Sequence, residues 1–184
     1  MLLYFLKRII FTAISKFNEY FMKVNNSKIY ERNLNTIASY KTAPYIRKGS
    51  NTQLSSNTYL GKYCSFNGFV IRGYGKVVIG DNFHSGRDIL VLTSIHNYEG
   101  ESLPYDKTRI YKDVIIEDNV WIGSRVIILG GSKIGEGAII QAGSVVIGEI
   151  PKYAIAGGHP AKPFAYRDKE HYDKLKREKK ILKV

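Results

Sequence analysis

From Ile116 onward an aliphatic residue returns every six positions: Ile116, Ile122, Ile128, Ile134, Ile140 and Val146. Four residues after each stand Val120, Val126, Ser132, Ala138, Ser144 and Ile150, most of them small or β-branched. A period of six is neither the 3.6 of an amphipathic helix nor the 2 of a hairpin strand. It predicts an all-β solenoid in which each short strand gives one large and one small side chain to a shared interior. Three hexads make one triangular coil, and coils stack through backbone hydrogen bonds at roughly 4.8 Å.

The pattern continues upstream with breaks. Leu54, Leu60 and Phe66 are in phase, with Cys64 and Gly68 near the small positions. A second phase runs Ile79, Ser85, Val91, with Phe83, Ile89 and Ile95 as companions. Residues Arg72–Lys76 slip the register and predict an outward bulge. Residues 97–113 carry no hexad and predict an excursion loop, a length at which loops are commonly functional.

The ends differ from the middle. We expect an N-terminal helical extension over 1–48, the repeat domain over 49–165, and a charged helix or tail over 166–184. Within residues 1–25, Leu2, Leu6, Ile9, Ala13, Phe17 and Phe21 fall near one helical face, interrupted by Lys7, Arg8 and Lys16. Two readings stay open: a helix lying on a membrane surface, or one packed against the solenoid or a sister subunit. No small-residue cleavage site follows, so a cytoplasmic chain is expected. No apolar run is long enough to predict a membrane span.

Length and charge narrow the function. The 184 residues suit one domain with extensions. The net charge of +12 sits at the ends: +7 over 1–48, +4 over 166–184 and only +1 between. A near-neutral body argues against nucleic acid, and basic ends suit an anionic surface or a solvated tail. One cysteine excludes a disulfide framework, and with four histidines no metal centre is expected. Cys64 reads as core filler and His84 as an exposed turn residue. His96 opens the long loop, and neutral imidazole is the side chain best suited to take a hydroxyl proton near pH 7.

The tandem hexads, and above all DNVWIGSRVIILGGSKIGEGAIIQAGSVVIGEIPKYAIAGGHPAK over 118–162, resemble the hexapeptide-repeat acyltransferases. The likeness covers about residues 54–165, within the branch of maltose, galactoside and xenobiotic O-acetyltransferases. His96–Tyr98 also resembles the HNY of several polysaccharide O-acetyltransferases. The resemblance implies a left-handed parallel β-helix, a homotrimer and acetyl-CoA as donor substrate. It implies His96 as general base, with Glu99, Glu101, Asp106 or a backbone carbonyl left open as its orienting partner. It implies the backbone N–H of Ser124 as oxyanion donor, and Trp121, Ala142, Gly143, Lys162 and Arg167 as coenzyme contacts. The usual Gly-Asn-Pro is Gly158-His159-Pro160 here.

On the acceptor side the chain departs from the maltose and galactoside enzymes. Tyr74 holds the place of their Asp, and Asn67 lies within one position of their Asn. A carbohydrate acceptor with Asn67, Tyr74 and Tyr98 as contacts is the resulting expectation, directed to a surface polysaccharide or its precursor. The alternatives are N-acetylation of a nucleotide-linked amino sugar, a zinc carbonic anhydrase on the same solenoid, and a non-catalytic scaffold. The zinc enzyme needs three placed histidines, and only His84 and His96 lie in the repeats.

Overall fold

The computed structural model describes residues 2–183, with side chains from residue 7 on. The expected roles of the Leu2 and Leu6 side chains fall outside the described residues. Helix α1 (Leu2–Thr36) leads into short parallel strands, and α2 (Lys169–Arg177) follows them. The strands form three sheets, the faces of a triangular prism. Face one stacks Ser39–Tyr40, Thr58–Leu60, Val77–Ile79, Val114–Ile116, Lys133–Ile134 and Glu149–Ile150. Face two stacks Tyr45–Ile46, Ser65–Phe66, His84–Ser85, Trp121–Ile122, Ile139–Ile140 and Ala154–Gly158, with Ala161–Tyr166 turning back antiparallel. Face three stacks Phe69–Arg72, Ile89–Leu92, Ile127–Leu129 and Val145–Val146. The result is a left-handed parallel β-helix of about six turns.

The hexads set the register. Ile116 pairs with Ile134, Ile122 with Ile140 and Ile128 with Val146, so each aliphatic residue sits on its counterpart one coil away. All twelve hexad and companion residues from Ile116 to Ile150 are at most 1% exposed. Burying each large aliphatic side chain contributes roughly 1.5–3 kcal/mol, which makes this column the main source of stability. In the earlier coils Phe66, Phe69 and Phe83 fill the same space, their ring centroids 5.3–5.6 Å apart.

Two boundaries differ from the sequence expectation. The first coil begins at Ser39, not residue 49, because it rests on backbone pairing (Ser39 with Tyr59, Tyr45 with Ser65) and needs no hexad. Ile95 is exposed, because Ser94–His96 has already left the prism and pairs antiparallel with Arg109–Tyr111. The excursion is therefore a two-stranded ribbon with a looped tip. The slipped segment is wedged at the ribbon's base: a Cβ on Gly73 would meet Ser94 Oγ at 2.6 Å.

The N-terminal end of the prism is covered by α1, and α2 lies along the first corner. Asn33 on α1 is buried; its amide donates to the Ile29 and Thr52 carbonyls and its oxygen accepts from the Leu54 N–H. Ile37 joins the core there. Asp168 caps α2 by accepting from the His171 N–H at 2.9 Å. Tyr172 on α2 stacks edge-on against Tyr153 and donates to Glu136, which also pairs with Lys176.

Candidate active site

The sharp turns between faces give the prism three corners. At the second corner, between faces two and three, side-chain oxygens from one coil accept N–H groups of the coil before it. The Asn67 N–H donates to Ser85 Oγ at 3.1 Å, and the Arg87 N–H to Ser124 Oγ at 3.0 Å. The next rung brings Ala142 to this position, stacked so closely that a Cβ on Gly123 would lie 2.5 Å from the Ala142 nitrogen. The alanine side chain has no oxygen. The Ser124 N–H accordingly has no hydrogen-bond partner among the described residues. Gly86 backs the same spot, where a Cβ would lie 2.6 Å from the Ser124 nitrogen.

The surroundings suit a long ligand with an apolar arm and an anionic end. Gly143, at φ +76°, follows Ala142, and a Cβ added there would meet nothing within 4 Å. His159 bonds the Gly143 carbonyl through Nε2 and braces that turn. Its place in the family motif gave no hint of this contact. Lys162 is exposed, sits opposite Gly157 beside the corner, and has no ion-pair partner among the described residues. Trp121 stands outward on face two, 53% exposed, with His84 and Ile139 as strand neighbours. These features fit coenzyme A: a free donor, small residues for close approach, an aromatic face and a cation.

Arg167 stands apart from Lys162 and the second corner. Its Nε donates to the Gly137 carbonyl at 2.7 Å, at the first corner, across face two from Lys162. The guanidinium lies over the Tyr172 ring. Together with Trp121, His84, Tyr172, Lys180 and Leu182 it lines a cleft of about 420 Å³ beneath the C-terminal tail. The tail thus crosses face two, which the aperiodic sequence of 178–183 did not reveal. His84 is not the exposed turn residue expected. It lies in a strand, half covered by this tail, and that burial lowers its pKa despite a backbone contact at Leu182.

His96 occupies the third corner, between faces three and one, at the root of the ribbon. Its ring stacks on Tyr105, centroids 3.8 Å apart and planes within 16°. None of the three expected carboxylates contacts it. Asp106 instead accepts from the Thr108 hydroxyl at 2.6 Å, the Thr108 N–H and the Glu101 N–H. The Thr108 bonds hold its carboxyl below the usual range. Aromatic stacking orients the imidazole, and the acidic residues shape the loop. Tyr74 and Tyr98 are both largely exposed, and Tyr74 meets Tyr111 edge-on at the same corner. Asn67 lies apart at the second corner, where its amide donates to the Ser85 carbonyl at 2.7 Å. Cys64 is interior, and burial pushes its thiol up to about 12.

Residues 113–148 match the family described as bacterial transferase hexapeptide (six repeats). Galactoside O-acetyltransferase of Escherichia coli K12 is 32% identical over 133 residues, 71% of this chain and 63% of that protein. The chain belongs to the hexapeptide-repeat acyltransferase family. A putative acetyltransferase of Saccharomyces cerevisiae is 39% identical over 109 residues, 58% of this chain and 55% of that protein. This family member thus spans between half and two thirds of the length of those relatives. Two solved structures share its fold. One is a galactoside acetyltransferase in complex with coenzyme A (TM-score 0.54, 24% identity, 73% of this chain and 68% of that one). The other is an N-acyltransferase mutant from Bacillus cereus with a dTDP-amino sugar and coenzyme A (TM-score 0.57, 18% identity, 82% and 94%).

Within one hexapeptide-repeat chain the two halves of the candidate site stay apart. Face three separates the Ser124 corner from the His96 corner by three to four residues of strand, roughly 10 Å.

Proposed function

We propose that the chain is an acetyl-CoA-dependent O-acetyltransferase acting on a sugar hydroxyl of a surface polysaccharide or its precursor. The observation that carries this reading is the unpaired Ser124 N–H beside small, open residues at the second corner. An N–H left without an acceptor beside open space is the donor that a tetrahedral oxyanion requires.

His96 takes the proton of the acceptor hydroxyl as that oxygen attacks the thioester carbonyl. The carbonyl oxygen becomes negative and is held by the Ser124 N–H. Collapse expels the coenzyme as thiolate, which recovers the proton from the imidazolium. No covalent enzyme intermediate is needed, in keeping with a buried, protonated Cys64. Trp121, Ala142 and Gly143 flank the pantetheine arm, and Lys162 meets phosphate. Arg167 belongs to the nucleotide end only if the coenzyme bends across face two. The exposed Tyr74 and Tyr98 offer ring faces to a sugar.

A homotrimer unites the halves. Three prisms around a threefold axis set the His96 corner of one copy against the Ser124 corner of the next, giving three identical clefts. The separation of the corners within one chain supports this assembly.

The experiment is calorimetric titration with acetyl-CoA, followed by acetyl transfer to a panel of hydroxyl and amino sugars. Saturable binding near one site per chain with transfer to hydroxyls is expected. Transfer to amines alone favours N-acylation, the chemistry named for the Bacillus cereus fold neighbour. No binding by folded protein removes the acyltransferase reading and leaves a scaffold.

A further inference from the structure

We propose that the N-terminal two thirds of α1 is a docking element that lies flat on an anionic lipid bilayer. This stands apart from the catalytic reading. The last third of α1, where Asn33 and Leu34 lie, packs on the prism, and Lys16 and Tyr20 border an open groove over Pro44 and Tyr45. Residues 7–23 are all exposed. That stretch nevertheless carries Ile9, Ile10, Ile14, Phe17, Tyr20 and Phe21, and Phe17 stacks on Phe21 at 6.3 Å.

At about 100° per residue these side chains gather in an arc of roughly 140°. Lys7 and Lys16 fall at its two edges, and Arg8, Lys23, Thr12, Ser15, Asn18 and Glu19 on the opposite side. Phe11 and Met22 fall outside the stripe. The basic groups outnumber acids four to one between residues 7 and 23. A wide apolar face with lysines along both borders matches an interfacial helix, whose lysine stems reach down while their ammonium groups meet phosphate. The arc is wider than a two-residue coiled-coil seam, and a second copy would bring like charges together. Among the described residues no helix is long and apolar enough to cross a membrane, so the helix lies on the surface.

The test uses the full chain and vesicles of phosphatidylcholine with or without phosphatidylglycerol, read by co-sedimentation. Wild type is expected to pellet with the anionic vesicles. Ile14→Ser/Phe17→Ser/Phe21→Ser should bind at least about tenfold more weakly, as lost apolar burial dictates. Lys7→Glu/Lys16→Glu should lose the preference for anionic lipid. Circular dichroism checks that each variant remains folded. Wild type left in the supernatant, or a triple variant that binds equally well, overturns the proposal. So does a triple variant whose sedimentation mass falls below that of wild type in lipid-free buffer, since the stripe would then be covered by a second copy.

Discussion

Two corners of the prism are built by the same rule and end differently. At the first corner the Lys62 N–H donates to Asp81 at 2.9 Å and the Asp81 N–H to Asp118 at 2.7 Å. At the second, the Ser124 hydroxyl plays the same part for the Arg87 N–H, while Ser85, which stacks on Ile122, holds the Asn67 N–H from within its strand. The first ladder runs out beneath α2, where Glu136 is already bonded to Tyr172 and Lys176. The second runs out at Ala142 and the open Gly143. One corner is therefore a clamp. Both ladders end on an N–H without a partner among the described residues, Asp118 at the first corner and Ser124 at the second; α2 packs on Glu136 at the first, and the second opens beside Gly143.

The sharpest way to break this comparison is at His96, the proposed base, which the second corner lacks. His96→Ala should cut kcat by about 10²–10⁴-fold, with acetyl-CoA affinity in calorimetry unchanged. Wild-type turnover by that variant would refute the assignment. Next, Ala142→Ser restores the missing acceptor and should engage the Ser124 N–H. Turnover should fall by about 10²-fold, while thermal stability holds or rises. An unchanged kcat would show that this donor does not serve the reaction.

The opposite edit at the clamp should have the opposite signature. Asp118→Ala strands the Asp81 N–H and should cost about 1–3 kcal/mol in denaturant titration, with kcat per folded molecule intact. The smallest effect concerns acid. Burial pushes the Asp81 carboxyl up, but the Lys62 N–H and the Lys41 ammonium outweigh it and hold it below its usual value. A carboxyl lowered in the folded state stabilises above its unfolded value of about 3.9, and that stability fades as pH falls through the lower folded value. Asp81→Asn should flatten the loss of melting temperature below about pH 4, which differential scanning calorimetry would detect.

Much of this was readable from the chain. Ile116 to Ile150 declared the interior because a fixed period in burial needs no long-range information. His96 announced itself by opening an aperiodic stretch. The vacancy at Ala142 could be read only in part. A small residue was expected there, but its importance lies in which N–H it faces one coil earlier, and that depends on register. The Tyr105 stack on His96 was hidden for a similar reason. The ribbon turns back on itself between Asn97 and Thr108, so neighbours in space are nine apart in sequence. The start at Ser39 escaped because the first coil borrows its core from α1. Arg167 shows the reverse: its motif position suggested a neighbour of Lys162, and the fold brings it instead beside Trp121.

Asn33 has a consequence for what the protein does in company. Each coil is a ready template for another, so a bare terminal rung invites the next molecule to add on, and the next after it. By taking up the Thr52 carbonyl and the Leu54 N–H, one amide side chain acts as a terminator for that growth. Without it, this rung of face three would offer an unpaired carbonyl and N–H to the edge of a neighbouring chain.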